Sequence, residues 1–306
     1  MRLLDKGKLQ GLLHRPLVWS LFAASCVVLL SVVYVLLLVL NVEYADQKVI
    51  AVFLFSAFVG FMIYGLAKFD GRYFLPFLLL SFSVVAYSEI QSVFVLRTYA
   101  YLGWPTSFLF WEYPLTIGLG WLYLSFCMYL VTNILVLGRE RHTGFVRGSH
   151  YLTHRHWLVQ ASLIVGLAFI DGLFLFHIGV VNETGGVDLG YWAYVPNGEA
   201  TFFGAPTRTL YTYFLAGFLI NMVFRALELA AEKILSAGTQ SLGTIDFLPL
   251  IPFFAYWTFL LVRSIIEFGF DHWMVFVTTP VLVVVIVATT VRFFELRLPT
   301  SAQSLG

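Results

Sequence analysis

The chain has 306 residues, of which 60% are hydrophobic, 18% aromatic and only 11% charged. Soluble domains carry about a quarter charged residues; with a mean hydropathy of +0.86, the composition is that of a polytopic membrane protein. A net charge of +1 says nothing about nucleic acid, but no basic stripe with interleaved aromatics is present and no nucleic-acid partner is expected; Cys26 and Cys127 sit in apolar runs with neither disulfide nor metal spacing.

Apolar runs of about 20 residues read as membrane-crossing helices. Eight are expected in one all-α domain covering 1–306, near 17–40, 49–67, 74–96, 113–137, 157–181, 209–226, 247–268 and 273–294. The first follows a basic segment, as a signal peptide would, but is too long for a signal core and is kept as a span. The third span carries Glu89, the fourth opens at Glu112, the fifth holds Asp171, and the seventh holds Arg263 and Glu267.

The positive-inside rule orients this arrangement. With both termini in the cytoplasm, 14 of the 18 basic residues fall inside, and only Lys48, Arg97 and Arg208 fall outside, with Arg263 inside a span. No internal repeat or domain linker is present. The longest outer connection, 182–208, contains a glycosylation sequon at Asn182-Glu-Thr184, and the longest inner one, 138–156, is rich in Arg and His.

An ionisable residue inside a span is expensive and marks a functional site by default. Counted from the cytoplasmic ends, all five embedded groups belong to the outer half of the bilayer, which predicts one polar pocket beneath the outer loop. Arg263 and Glu267 are four apart on one helix and read as a structural pair. Glu112, between Trp111 and Tyr113, is read either as an interfacial carboxylate or as a site acid. Glu89 and Asp171 have no basic partner in local sequence and are the stronger site candidates. His177, six residues after Asp171, points about 120° away around the helix and is not its partner.

Desolvation penalises a carboxylate anion, so a shielded carboxyl can remain protonated and serve as a general acid. In a cavity reached from the membrane, the substrate it suits is a lipid, and the protonatable lipid group is an isoprenoid double bond. Protonation leaves a tertiary carbocation that aromatic faces stabilise, and a second carboxylate can activate water or remove a proton. Aromatics abound in any membrane protein, so their number permits this chemistry without indicating it. The cluster His150-Tyr-Leu-Thr-His154-Arg-His156 is too small a histidine set for a membrane di-iron centre, and no deep lysine is available for a retinal Schiff base. Walker, GxSxG and HExxH motifs are absent, and Gly118-x-Gly120 reads as helix-packing material.

Three patches resemble the integral-membrane carotenoid biosynthesis family that includes carotenoid 1,2-hydratases and bisanhydrobacterioruberin hydratase. They are Ser88-Glu89-Ile90 with Gly103-Trp104-Pro105; Glu112-Tyr-Pro114-Leu115; and Ile170-Asp171 with Gly190-Tyr-Trp192-Ala-Tyr194 and Phe202-Phe203-Gly204-Ala-Pro206. Together they span about Ser88 to Gly217. The family's second Asp-Pro is replaced by Leu175-Phe176, and its terminal Asn by Thr209, so the chain is a divergent match.

The resemblance implies a cofactor-independent, multi-pass enzyme of a prokaryotic cell membrane acting on an isoprenoid or carotenoid. Asp171 is then the general acid and Glu89 or Glu112 the base. Trp104, Trp192, Tyr194, Phe202 and Phe203 line or cover the substrate, and Arg208 orients a polar end group. Cyclisation or isomerisation with the same acids is the alternative within enzymes. A non-catalytic lipid binder or transporter is the alternative outside them; the absence of paired interrupted helices in the two halves lowers the transporter reading.

Overall fold

The computed structural model describes residues 16–42, 45–68, 71–95, 99–101, 109–110, 113–137, 158–159, 161, 163, 180–181, 187–188, 192–194, 201–202, 205–206, 211, 214–223, 225–226, 230, 247–269 and 273–295. Its described architecture is helical. The long helices are α1 (Pro16–Val39), α2 (Ala45–Lys68), α3 (Gly71–Ile90) and α4 (Leu115–Leu137). They are followed by α5 (Phe214–Val223), α6 (Leu250–Phe268) and α7 (Trp273–Glu295). Within α2 and α4, Lys48–Lys68 and Gly118–Val136 are each long and apolar enough to cross a membrane, with mean hydropathies of 2.4 and 1.7.

Aromatic contacts give the helix directions. Phe61 on α2 packs against Phe126 on α4, with centroids 4.7 Å apart, and Leu54 meets Gly120 one to two turns earlier on both. α2 and α4 therefore run parallel. Phe61 also packs on Phe74 of α3 at 5.4 Å, close after the short link from Lys68 to Gly71, which makes α2 and α3 an antiparallel hairpin. α6 stacks Tyr256 on Phe53 of α2 and runs antiparallel to it, while Phe259 meets Tyr34 edge-on so that α6 parallels α1. Phe247, just before α6, meets Phe293 near the end of α7 at 4.9 Å, closing a second hairpin. Consecutive long helices thus alternate in direction.

Sequence punctuates these helices locally. α1 ends where Asn41 takes φ 50 and the Val42 amide reaches back to the Leu37 carbonyl at 2.9 Å, the left-handed cap that Asn tolerates well. α6 ends at Gly269, φ 86, whose amide bonds the Ile265 carbonyl. Several hydroxyls bond back within their own helices: Ser56 donates to Val52, Thr132 to Met128 and Thr258 to Phe254, each at 2.8 Å. The buried core is built on Phe61, Phe74, Phe77, Tyr123, Phe126, Phe253 and Phe259. The outward residues are also apolar, including Leu29, Leu36, Ile63, Leu79, Phe276 and Val284. A surface of that kind belongs against lipid rather than water.

Two expected boundaries are corrected. The helix expected from 113 starts at Leu115, because Tyr113–Pro114 forms a strand paired with Leu109–Phe110; a residue before proline is pushed to extended backbone. The span expected to run to 181 has stopped by Val180–Val181, a β-branched pair in a ladder with Val187–Asp188.

Candidate functional site

Among the described residues, two of the embedded charges, Glu89 and Arg263, lie toward one end of the bundle. Glu89 is the penultimate residue of α3 and is 9% exposed. At a 1.5 Å rise it stands about 27 Å along the helix from Gly71. Arg263 lies on α6, which runs in the same direction as α3, since both are antiparallel to α2. It is 2% exposed, with its guanidinium carbon 6.0 Å from the Tyr34 ring centroid. Glu89 and Arg263 therefore lie toward the same end of the bundle.

Beyond Glu89 the helix changes winding. Gln91–Val95 forms a π-helical turn, an irregularity often found at functional sites. The chain then enters β1 (Tyr99–Tyr101), which pairs antiparallel with β6 (Trp192–Tyr194) in the register Tyr99 to Tyr194, Ala100 to Ala193 and Tyr101 to Trp192. Segments nearly a hundred residues apart, of which the sequence singled out only the Trp192–Tyr194 one, are thus joined through their backbones directly after the helix carrying Glu89. Three further short ladders accompany this pair. β2 (Leu109–Phe110) meets β3 (Tyr113–Pro114), β4 (Val180–Val181) meets β5 (Val187–Asp188), and β7 (Thr201–Phe202) meets β8 (Ala205–Pro206).

Of the residues expected at the site, the described set includes Glu89 and Arg263 with their side chains. It includes the backbones of Trp192, Tyr194, Phe202 and Glu267. Asp171, Glu112, Trp104, Phe203 and Arg208 lie outside the described residues, as do His177 and the 150–156 histidines.

A third buried charge stands at the opposite end. Arg225, continuing the helical stretch after α5, is 3% exposed and donates from Nη2 to Asn133 Oδ1 at 3.2 Å. Its guanidinium carbon lies 4.7 Å from the centroid of the Tyr129 ring, so Tyr129 and Asn133, one turn apart on α4, hold the cation between a π-face and an amide oxygen. The sequence reading counted Arg225 among the cytoplasmic basic residues and missed its burial. The available signal was Asn133, a strong acceptor in an apolar run.

Gly120 behaves as a packing residue: a Cβ on it would lie 3.0 Å from Leu54. Among the described residues, no group of three or more His, Cys, Asp or Glu is arranged to hold a metal ion. No protein-family model, curated protein or solved structure matches this chain.

Proposed function

We propose that this chain is an eight-span enzyme of a prokaryotic cell membrane, with both termini cytoplasmic, that hydrates an isoprenoid or carotenoid double bond without a cofactor. The observation that carries the reading is Glu89, buried at the end of α3, followed by the π turn and by β1 in register with the Trp192–Tyr194 strand. A buried carboxyl ahead of a segment whose backbone pairs with the aromatic 192–194 strand supports an acid-initiated carbocation reaction. The alternating helices, their apolar outer faces and the cytoplasmic bias of Arg and Lys support the topology.

In this reading Asp171 donates a proton to the less substituted alkene carbon, leaving a tertiary cation. Water adds to the cation, and Glu89 or Glu112 accepts the proton that water loses, so the net change is one water gained. Trp104, Trp192, Tyr194, Phe202 and Phe203 shield the cation, and Arg208 orients any polar end group. Glu267 pairs with Arg263 as a structural element. Leu175-Phe176, standing where the resembling family has its second acid, favours one variant: the cation loses a proton after cyclisation or double-bond migration. The test is expression in a host that makes lycopene-type carotenoids and, separately, in one that makes a shorter isoprenoid, with mass analysis of extracted lipids. A product heavier by one water, absent with Asp171→Asn, is expected. A product of unchanged mass would replace hydration by cyclisation or isomerisation, and no product from either lipid would leave a binding protein.

A further inference from the structure

The inward stripe of α3 runs Phe74, Phe77, Ser81, Val85 and Glu89, spaced three or four residues apart and all buried. Glu89 closes this stripe. The chain continues as the π turn, whose last two residues, Phe94 and Val95, are exposed, and soon afterwards enters β1. Among the described residues, three of the four ladders join stretches close in sequence: β2 with β3, β4 with β5, and β7 with β8. The β1–β6 ladder is different, because it ties the segment leaving α3 to one nearly a hundred residues on. β4 lies beside β6 as well, so the hairpin it makes with β5 is carried on the same ladder.

We propose that the β1–β6 ladder is a strap that opens and closes over the Glu89 end of the bundle, with the π turn as its hinge, and so governs when water reaches the Glu89 carboxyl. Three features of the fold fit that device. The ladder is two-stranded and only three residue pairs long, a size that is marginally stable by itself. Holding two distant segments together also costs loop-closure entropy, so the open and closed forms lie close in free energy, as in the low-stability elements from which lids are drawn. The link to Glu89 is the π turn, a winding at which helices bend. Up to Glu89 the buried stripe holds α3 against the core, which confines the movement to the residues after it. With the strap shut, the carboxyl is kept from water, where each charge interaction is stronger; with it open, water enters.

The experiment uses full-length protein in detergent, with Cys26→Ala and Cys127→Ala, carrying Ala100→Cys and Ala193→Cys at register partners. The pair is either reduced or oxidised to a disulfide. Each form is treated with a water-soluble carbodiimide and glycinamide, which convert a reachable carboxyl to an amide as the carbodiimide leaves with its oxygen as a urea. Labelling of Glu89 is read by peptide mass spectrometry, and a lipid-soluble carbodiimide is run in parallel. The water-soluble reagent should label Glu89 in the reduced form and at least about tenfold more slowly in the disulfide form, while the lipid-soluble reagent labels both alike. Equal rates with the water-soluble reagent would overturn the strap, as would no labelling in either form. An equal slowing with the lipid-soluble reagent would also overturn it, since the cross-link would then disturb Glu89 instead of covering it. Deleting Ser92 takes the extra residue out of the π turn and rotates β1 by about 100° around α3. Cross-linking should then slow and water-soluble labelling rise, with lipid-soluble labelling kept; cross-linking at the original rate would remove the π turn as the hinge. Labelling is read without turnover, so the strap stands or falls independently of the hydration proposed above.

Discussion

Buried charges stand at both ends of the bundle. Arg225 is fixed by Asn133 and the Tyr129 ring on consecutive turns of α4. Hydrogen bonds to a charged group contribute about 1.5–3 kcal/mol, so Asn133→Ala should destabilise the protein by roughly that amount, visible as a lower melting temperature in detergent. An unchanged melting temperature would make the contact incidental. Glu89 should behave in the opposite way. Glu89→Gln keeps size and burial but removes the titrating group, so stability should hold while turnover falls by about 10²–10⁴, the usual contribution of a general acid or base. Glu89 was legible in the sequence because a carboxyl in an apolar run stands out. Arg225 was not, because its partner is 92 positions away in the chain and a basic residue at a cytoplasmic helix end is ordinary.

At the scale of elements, small residues set how closely the helices approach. Gly65 lies against the Phe74 ring across the α2–α3 hairpin, so Gly65→Ala forces that ring to move. Overpacking costs about 1–3 kcal/mol. Pairing it with Phe74→Leu should recover part of the loss, and a thermal melt of the single and double variants would show strict additivity if the contact were absent. The β1–β6 ladder brings distant segments together and can be trapped. With Cys26 and Cys127 removed, cysteines at Ala100 and Ala193, which are register partners, should cross-link under mild oxidant. Cysteines at Ala100 and Ala205 should not. The helices themselves were readable because long apolar runs have few alternatives. The ladder was not, since backbone pairing between two outer segments leaves no periodic trace, and the strand at Tyr113–Pro114 was hidden by apolar neighbours that continue into α4.

At the scale of the molecule, the apolar outer faces of the described helices favour a lipid surrounding. The proposed topology puts Asp46 outside and Asp70 inside. In a background without Cys26 and Cys127, Asp46→Cys should react with a membrane-impermeant maleimide on intact cells, and Asp70→Cys only after lysis. The reverse pattern would invert the bundle. With that orientation, the proposed reaction is the addition of water across a prenyl double bond by embedded carboxyls at the outer end. It is tested most directly by supplying membranes with an acyclic carotene in water enriched in oxygen-18 and reading the product by mass spectrometry. One heavy oxygen per product molecule is expected from wild type, with none from Asp171→Asn or Glu89→Gln. A product without heavy oxygen, or full labelling in both variants, would contradict the account.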